Sequence, residues 1–468
     1  MGALMIQGAS SSAGKSLITT SLARSMHRRG IDVAPFKAQN MSNNARVVNG
    51  GEIGTAQYLQ ALAAGVEPDV VMNPVLVKPE GDNRSQVVVL GKPDLELSRM
   101  PWRSRAPRLW PVIEQSLRRL QAEHDVLLLE GAGSPAESNL WDVDLANMRT
   151  AEAAGARVVL VADIDRGGAF AHLYGTWAML PDAEQAMITG FVLNKFRGDP
   201  ALLTPAPEHL AQLTGVRTLG VVPWLEHGLP DEDGAATPLD TRGRCSVAVV
   251  RYPTASNLDE FKQLEQVADV RWSVHAEDVD RSDLVILPGS KHVAADLGWL
   301  VSTGIADALK RRARAGRLVL GICGGLQMLG ERIEDEAGVD GSADGLAVLP
   351  LRTTFTAAKH TDRIATCFTR LSGPWAVWSE KRVAGYQIRH GRSTQTADVA
   401  EALPDGLGFI NGSVLGVYIH GLFEQPELLT ALFGERPRRT LDQAFDELAD
   451  AIDEHVDVPY LLREAGVR

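Results

Sequence analysis

Ala3-Leu4-Met5-Ile6-Gln7 runs into Gly8-Ala9-Ser10-Ser11-Ser12-Ala13-Gly14-Lys15-Ser16, and residues 15–29 continue with helical spacing of apolar positions. An apolar run, a glycine- and serine-rich turn and an amphipathic stretch, in that order, describe a strand feeding a helix through a phosphate-binding loop. Glycines let backbone N–H groups face a phosphate, and the helix N-terminus adds partial positive charge. In this pattern Gly8, Ser12 and Gly14 shape the loop, Lys15 reaches the β- and γ-phosphates of ATP, and Ser16 is a ligand for Mg²⁺. Five residues separate Gly8 from Gly14 where the common motif has four.

Outward from that loop, short apolar runs at 32–36, 126–129, 157–162, 187–194 and 218–222 read as further buried strands, with helical stretches such as 108–124 between them. Such alternation predicts an α/β fold whose mostly parallel sheet has helices on both faces. Glu130 ends one strand beside Gly131-Ala132-Gly133, a place suited to a second metal ligand. Lys37 follows another strand and is placed to neutralise a transferring phosphoryl group, with a solvated lysine as the alternative. Asn194 ends a third and is a candidate reader of the adenine base; Asp163 and Asp165 are further metal candidates.

The strand–helix pattern lapses near residue 228 and restarts at 245. The expected organisation is therefore a P-loop domain at 1–228, a linker at 229–244, a second α/β domain at 245–436 and a C-terminal helical segment at 437–468. Strands are expected at 246–250, 283–287, 317–321 and 414–419, and the stretch 352–416 reads as shorter β segments. Gly321-Ile322-Cys323-Gly324-Gly325 has the form of a nucleophile elbow with cysteine in place of serine, followed by a helical run over 326–333. The backbone N–H of Gly324 is a natural oxyanion donor, and Gly289, in the turn after 283–287, is a second. His420, at the end of 414–419, is the expected base, with His390 the weaker competitor. Cys245 and Cys367 lack such surroundings and read as structural.

Bulk properties narrow the classes of function. A length of 468 residues suits two domains, and a net charge of −12 argues against a general nucleic-acid binder. Three cysteines, no basic apolar leader and no apolar run of membrane-spanning length lead to the expectation of a cytoplasmic protein with no membrane partner.

The chain resembles the cobyric acid synthase family over nearly its whole length, and its longer phosphate-loop spacing resembles the dethiobiotin synthetase branch of P-loop proteins. The resemblance rests on the phosphate loop, on Gln39-Asn40-Met41-Ser42-Asn43-Asn44, Gly51-Glu52-Ile53-Gly54, Asn73-Pro74 with Lys78-Pro79, Glu130-Gly131-Ala132-Gly133-Ser134-Pro135, Asp163-Ile164-Asp165-Arg166 and Asn194-Lys195-Phe196-Arg197. In the second half it rests on Gly321–Gly325 and Tyr418-Ile419-His420-Gly421-Leu422-Phe423, which look like a class I glutamine amidotransferase. Many members of that class carry a glutamate two positions after the histidine. Leu422 stands there and the nearest acid is Glu424, so no third member is assigned.

The resemblance implies ATP- and glutamine-dependent amidation of the b, d, e and g carboxylates of adenosylcobyrinic acid a,c-diamide, with glutamine and the corrinoid as small-molecule partners; a homo-oligomer is compatible with it. Lys37, Lys78, Arg84, Arg149 and Arg166 are candidate cations for such a polycarboxylate. Alternatives are a cobyrinic acid a,c-diamide synthase, another glutamine-dependent carboxylate ligase, a ParA/MinD-type ATPase switch and a non-catalytic corrinoid binder.

Overall fold

The computed structural model describes residues 2–81, 84–229 and 244–467. The expected linker, 229–244, lies almost wholly outside them.

The first sheet runs from edge to edge through Thr218–Pro223, Ile188–Phe196, Arg157–Asp163, Gly2–Gly8, Val126–Glu130 and Val33–Phe36, all parallel. Its central strand is buried at every residue. Ala3 and Met5 enter one apolar cluster, and Leu4 and Ile6 enter the cluster on the opposite face. A parallel strand covered by helices on both sides needs this continuous apolar run.

The second sheet follows the order Asp269–Ser273, Ser246–Val250, Leu284–Leu287, Leu318–Ile322, Val414–Val417, Gly408–Asn411, Ala400–Leu403. Its first five strands are parallel and its last two antiparallel. Val247 and Val249 face one core, Ala248 and Val250 the other. The α/β organisation read from the sequence is present in both halves.

Several elements differ from the sequence reading. The helix expected at 108–124 spans Trp102–Glu123 and carries Pro107 and Pro111 inside it. Pro107 falls in its second turn, a position that made the start look like a break. The stretch 352–416 is dominated by two long antiparallel strands, Leu351–Cys367 and Arg382–Gln395. Their outer faces are exposed, so their apolar residues are too sparse to mark a strand of that length. The helix after Cys323 is only Gly324–Leu329, and a short strand, Arg332–Glu334, follows.

Between Val33–Phe36 and Val126–Glu130 of the first sheet, the chain forms a hairpin, Ala45–Val48 with Gly51–Gly54, and a four-stranded sheet built on Val75–Gly81 and Arg84–Val89. Both lie against the second half. Thr361 Oγ1 donates to the Gly50 carbonyl at 3.0 Å and Arg363 Nε to the Val47 carbonyl at 3.2 Å.

The C-terminal helices Leu441–His455 and Val458–Glu464 pack on the first domain, not the second. Phe445, Leu448 and Ile452 join the cluster that holds Ile18 and Leu22. Arg24 Nε pairs with Asp446 at 2.8 Å, and Thr189 Oγ1 donates to Glu464 at 3.0 Å. A Phe445→Ala substitution should therefore cost about 3–5 kcal/mol of first-domain stability, as for other buried aromatic truncations. Denaturant unfolding checks this; an unchanged midpoint would contradict the shared core.

Candidate active site

Two cavities carry chemistry. The larger, about 720 Å³, is lined by Lys15, Ser16, Asn194, Trp224, His227 and Arg439, among others. The smaller, about 100 Å³, holds Cys323 and His420.

At the larger one the loop after Gly2–Gly8 bends through Ser12 and Gly14, both with positive φ, of 57° and 94°. Gly14 is required twice over: its backbone is left-handed, and a Cβ there would sit 2.0 Å from Asn194 Nδ2. Asn194 is buried and donates from Nδ2 to the Ala13 carbonyl at 3.0 Å, so it braces the loop, while its Oδ1 is a buried acceptor with no partner among the described residues. Lys195 clamps the loop as well, donating to the Ser12 carbonyl at 2.8 Å and pairing with Asp163 at 2.9 Å.

Lys15 Nζ lies 3.3 Å from the Gly133 carbonyl, which brings the loop after Val126–Glu130 against the phosphate loop. Glu130 is buried at the strand end. Its Oε1 accepts from Ser16 Oγ at 2.9 Å and from Lys37 Nζ at 2.7 Å, and its Oε2 from Gln60 Nε2 at 2.5 Å. Ser16, Lys37 and Glu130, far apart in the chain, are thus one cluster. A hydroxyl and a carboxylate are hard oxygen donors and fit Mg²⁺, which takes one or two protein oxygens and completes its shell with water and phosphate. Asp163 is engaged by Lys195 and Arg166, and Asp165 by Arg197, at 2.9, 3.4 and 3.2 Å.

At the smaller cavity Cys323 ends the strand Leu318–Ile322 with φ 51° and ψ −105°. That conformation is costly for a residue with a Cβ and is held where surrounding structure over-determines it. Gly325 permits the turn, since a Cβ there would meet the Leu287 carbonyl at 2.0 Å. Cys323 is 6% exposed, with Sγ 3.5 Å from the Ile388 carbonyl. Gly324 follows Cys323 directly, and Gly289 lies in the turn after Leu284–Leu287, beside His420. A Cβ on Gly324 would meet the Ser290 nitrogen at 2.7 Å, and one on Gly289 would meet His420 Cε1 at 3.0 Å. Ser290 Oγ and Thr254 Oγ1 both donate to Asp296, at 2.7 and 2.6 Å, and fix that turn.

His420 lines the same cavity as Cys323. Its Nδ1 lies 2.8 Å from Glu260 Oε1, and Glu260 Oε2 accepts from the Gly421 N–H at 2.8 Å. Glu260 thus stands where a third member would, a position that the sequence left unassigned. It sits in a short 3-10 turn, Leu258–Phe261, with no local signature, 160 positions from His420. Glu424, the acid nearest His420 in sequence, pairs with Arg46 instead, at 2.5 Å. Burial pulls the His420 pKa down, but the charges of Glu260 and Cys323 prevail and it is pushed up to about 10. His390 lines the same cavity but bonds only the Thr356 carbonyl, at 3.2 Å, and burial pulls it down to about 4.

Of the cations expected to meet a polycarboxylate, Lys78 is buried in an ion pair with Glu52, and Arg149 lies 4.0 Å from the Trp110 ring centroid. Arg166 lines the larger cavity, and Arg84 is exposed. Cys245 is half-buried, and burial pushes its thiol up to about 11; Cys367 is exposed at a strand end, so it is not part of a core.

Comparison with known proteins bears on both halves. The profile of the CobQ/CobB/MinD/ParA nucleotide binding domain matches residues 4–230, and that of the CobB/CobQ-like glutamine amidotransferase domain matches residues 246–428. A cobyric acid synthase of Variovorax paradoxus (strain S110) is 52% identical, covering 98% of each chain. One of Paracidovorax citrulli (strain AAC00-1) is 53% identical, covering 99% of each. One of Polaromonas naphthalenivorans (strain CJ2) is 52% identical, covering 97% of each. Among the described residues no helix is long and apolar enough to cross a membrane.

The folded His420 pKa, about 10, stands above the ordinary histidine value of ~6.5. Its ion pair with Glu260 therefore stabilises the fold fully below pH ~6.5, and that contribution fades as pH rises through about 10. Glu260→Gln should destabilise the chain most in the acidic range and bring the His420 titration down toward the ordinary value. Histidine NMR across a pH series checks both; an unmoved His420 titration would contradict the assignment.

Proposed function

The chain belongs to the cobyric acid synthase family and is a glutamine-dependent amide-forming ligase; from that premise we propose that it amidates the b, d, e and g carboxylates of adenosylcobyrinic acid a,c-diamide, consuming ATP and glutamine. The observation that carries this reading is one chain holding both the Ser16–Glu130–Lys37 cluster beside a phosphate loop and the Cys323–His420–Glu260 array.

Oxide is too poor a leaving group for ammonia to displace from a carboxylate. Transfer of the γ-phosphoryl group of ATP to a substrate carboxylate oxygen gives an acyl phosphate, from which ammonia expels phosphate. Lys15 and Lys37 supply positive charge along that transfer, and the loop N–H groups orient the phosphates. Mg²⁺, held by Ser16 and Glu130, supplies charge neutralisation on the phosphate oxygens when bound. The unpaired Oδ1 of Asn194 suits the exocyclic amino group of adenine.

In the second half, Cys323 Sγ attacks the amide carbon of glutamine. The Gly324 and Gly289 N–H groups stabilise the oxyanion, and the His420 imidazolium gives its proton to the departing ammonia. Water then hydrolyses the thioester to glutamate, and the ammonia serves the first half.

A Cys323→Ala chain should lose glutamine-driven amidation by roughly 10³-fold or more while ammonium-driven amidation stays within about twofold. Lys15→Ala should lower both by about 10²–10³-fold. Product formation with glutamine or with ammonium chloride checks this. Failure of ammonium to support the Cys323→Ala chain would overturn the division of labour.

A further inference from the structure

Arg46 stands on the hairpin strand Ala45–Val48 of the nucleotide-binding half, yet its charge is spent in the other half. It is 5% exposed. Its Nη2 pairs with Asp259 and, at 2.5 Å, with Glu424, and its guanidinium carbon lies 5.3 Å from the Tyr386 ring centroid.

Each of these contacts adjoins the Cys323 array. Asp259 directly precedes Glu260, the carboxylate that holds His420 Nδ1. Tyr386 stacks on the His420 ring, with centroids 5.3 Å apart and planes 20° from parallel, and its carbonyl accepts from the His420 N–H at 2.8 Å. Two backbone bonds flank the ion pair: the Ala45 N–H donates to Asn257 Oδ1 at 3.3 Å, and the Leu258 N–H to Asn44 Oδ1 at 3.1 Å. The turn that carries Glu260 is thus held by residues 44–46 of the other half.

We infer that Arg46 is a positioning residue for the glutaminase, so that the Cys323–His420–Glu260 array is complete only with the nucleotide-binding half docked on it. This rests on the glutaminase reading above. The charge count explains why Arg46 is needed. Asp259, Glu260 and Glu424 bring three carboxylates to a site where His420 supplies one cation. Arg46 is the second, and a buried carboxylate stripped of its partner must take up a proton or move. Either outcome shifts Glu260. The arrangement restrains glutamine hydrolysis to chains whose two halves are assembled.

The test uses the full chain with Arg46→Met, Arg46→Lys and Asp259→Asn. Arg46→Met should lower kcat for glutamine hydrolysis by about tenfold or more, with KM for glutamine moving less than about threefold and ammonium-driven amidation within about twofold. Arg46→Lys, which keeps the charge without the fork, should recover part of the loss. Asp259→Asn removes the same contact from the other side and should show the same selective loss, which keeps the test open if Arg46→Met does not fold. Alkylation of Cys323 by iodoacetamide should slow in parallel.

Unchanged kcat in Arg46→Met, or equal losses of glutamine- and ammonium-driven activity, would overturn the inference. Failure of the reading beneath it looks different: Cys323→Ala would then hydrolyse glutamine as fast as the unaltered chain.

Discussion

A carboxylate removed from water needs its counter-charge inside the protein, and Glu260 finds it in His420. That pairing fixes the imidazole at Nδ1, leaves Nε2 for the cysteine side and keeps a proton on the ring well above neutral pH. It also sets a demand on the rest of the chain. The turn bearing Glu260 has little internal hydrogen bonding, so it must be held by what packs against it. Residues 44–46 of the other half do that, and the two halves are therefore one machine at the level of individual contacts.

The same logic recurs across the interface. Glu52, from the nucleotide-binding half, is fully buried and pairs with Lys78 of its own half and Lys359 of the other. Buried ion pairs contribute little net stability, because desolvation offsets most of the Coulomb gain. Their effect is to penalise any other docking, since a shifted interface strands a charge. Apolar contact alone, as between Ala45, Leu76, Val88 and Ile388, would tolerate sliding. The charged contacts specify one register, the one that sets Lys78 and Gln86 in the wall of the Cys323 cavity.

What could be read from the sequence was local. The phosphate loop and the cysteine elbow are each a strand, a turn and a helix start within a dozen residues, and glycines mark the turns that no other residue fits. The nearness of His420 to Cys323 was legible because it lies three residues past Val414–Val417, the buried strand beside Cys323's own. Glu260 was not, because its role is set by a tertiary contact and its turn has no periodicity. The hairpin at 45–54 was missed, and the two long strands at 351–395 were read only as shorter β segments. The hairpin strands are only four residues long and buried throughout, and the strands at 351–395 set few apolar residues among many exposed polar ones, so neither shows a long apolar alternation. The C-terminal helix was legible by its amphipathic period, but its docking on Ile18 and Leu22 was not.

Under the proposed function, nitrogen freed at Cys323 is installed on carboxylates beside Lys15 of the same chain. The most direct measurement supplies ATP, Mg²⁺, amide-¹⁵N-labelled glutamine and adenosylcobyrinic acid a,c-diamide, and weighs the corrinoid product. The account predicts a final mass corresponding to one ¹⁵N amide at each of the b, d, e and g positions. A product that gains amides at none of those positions, or gains them without the label, would contradict it.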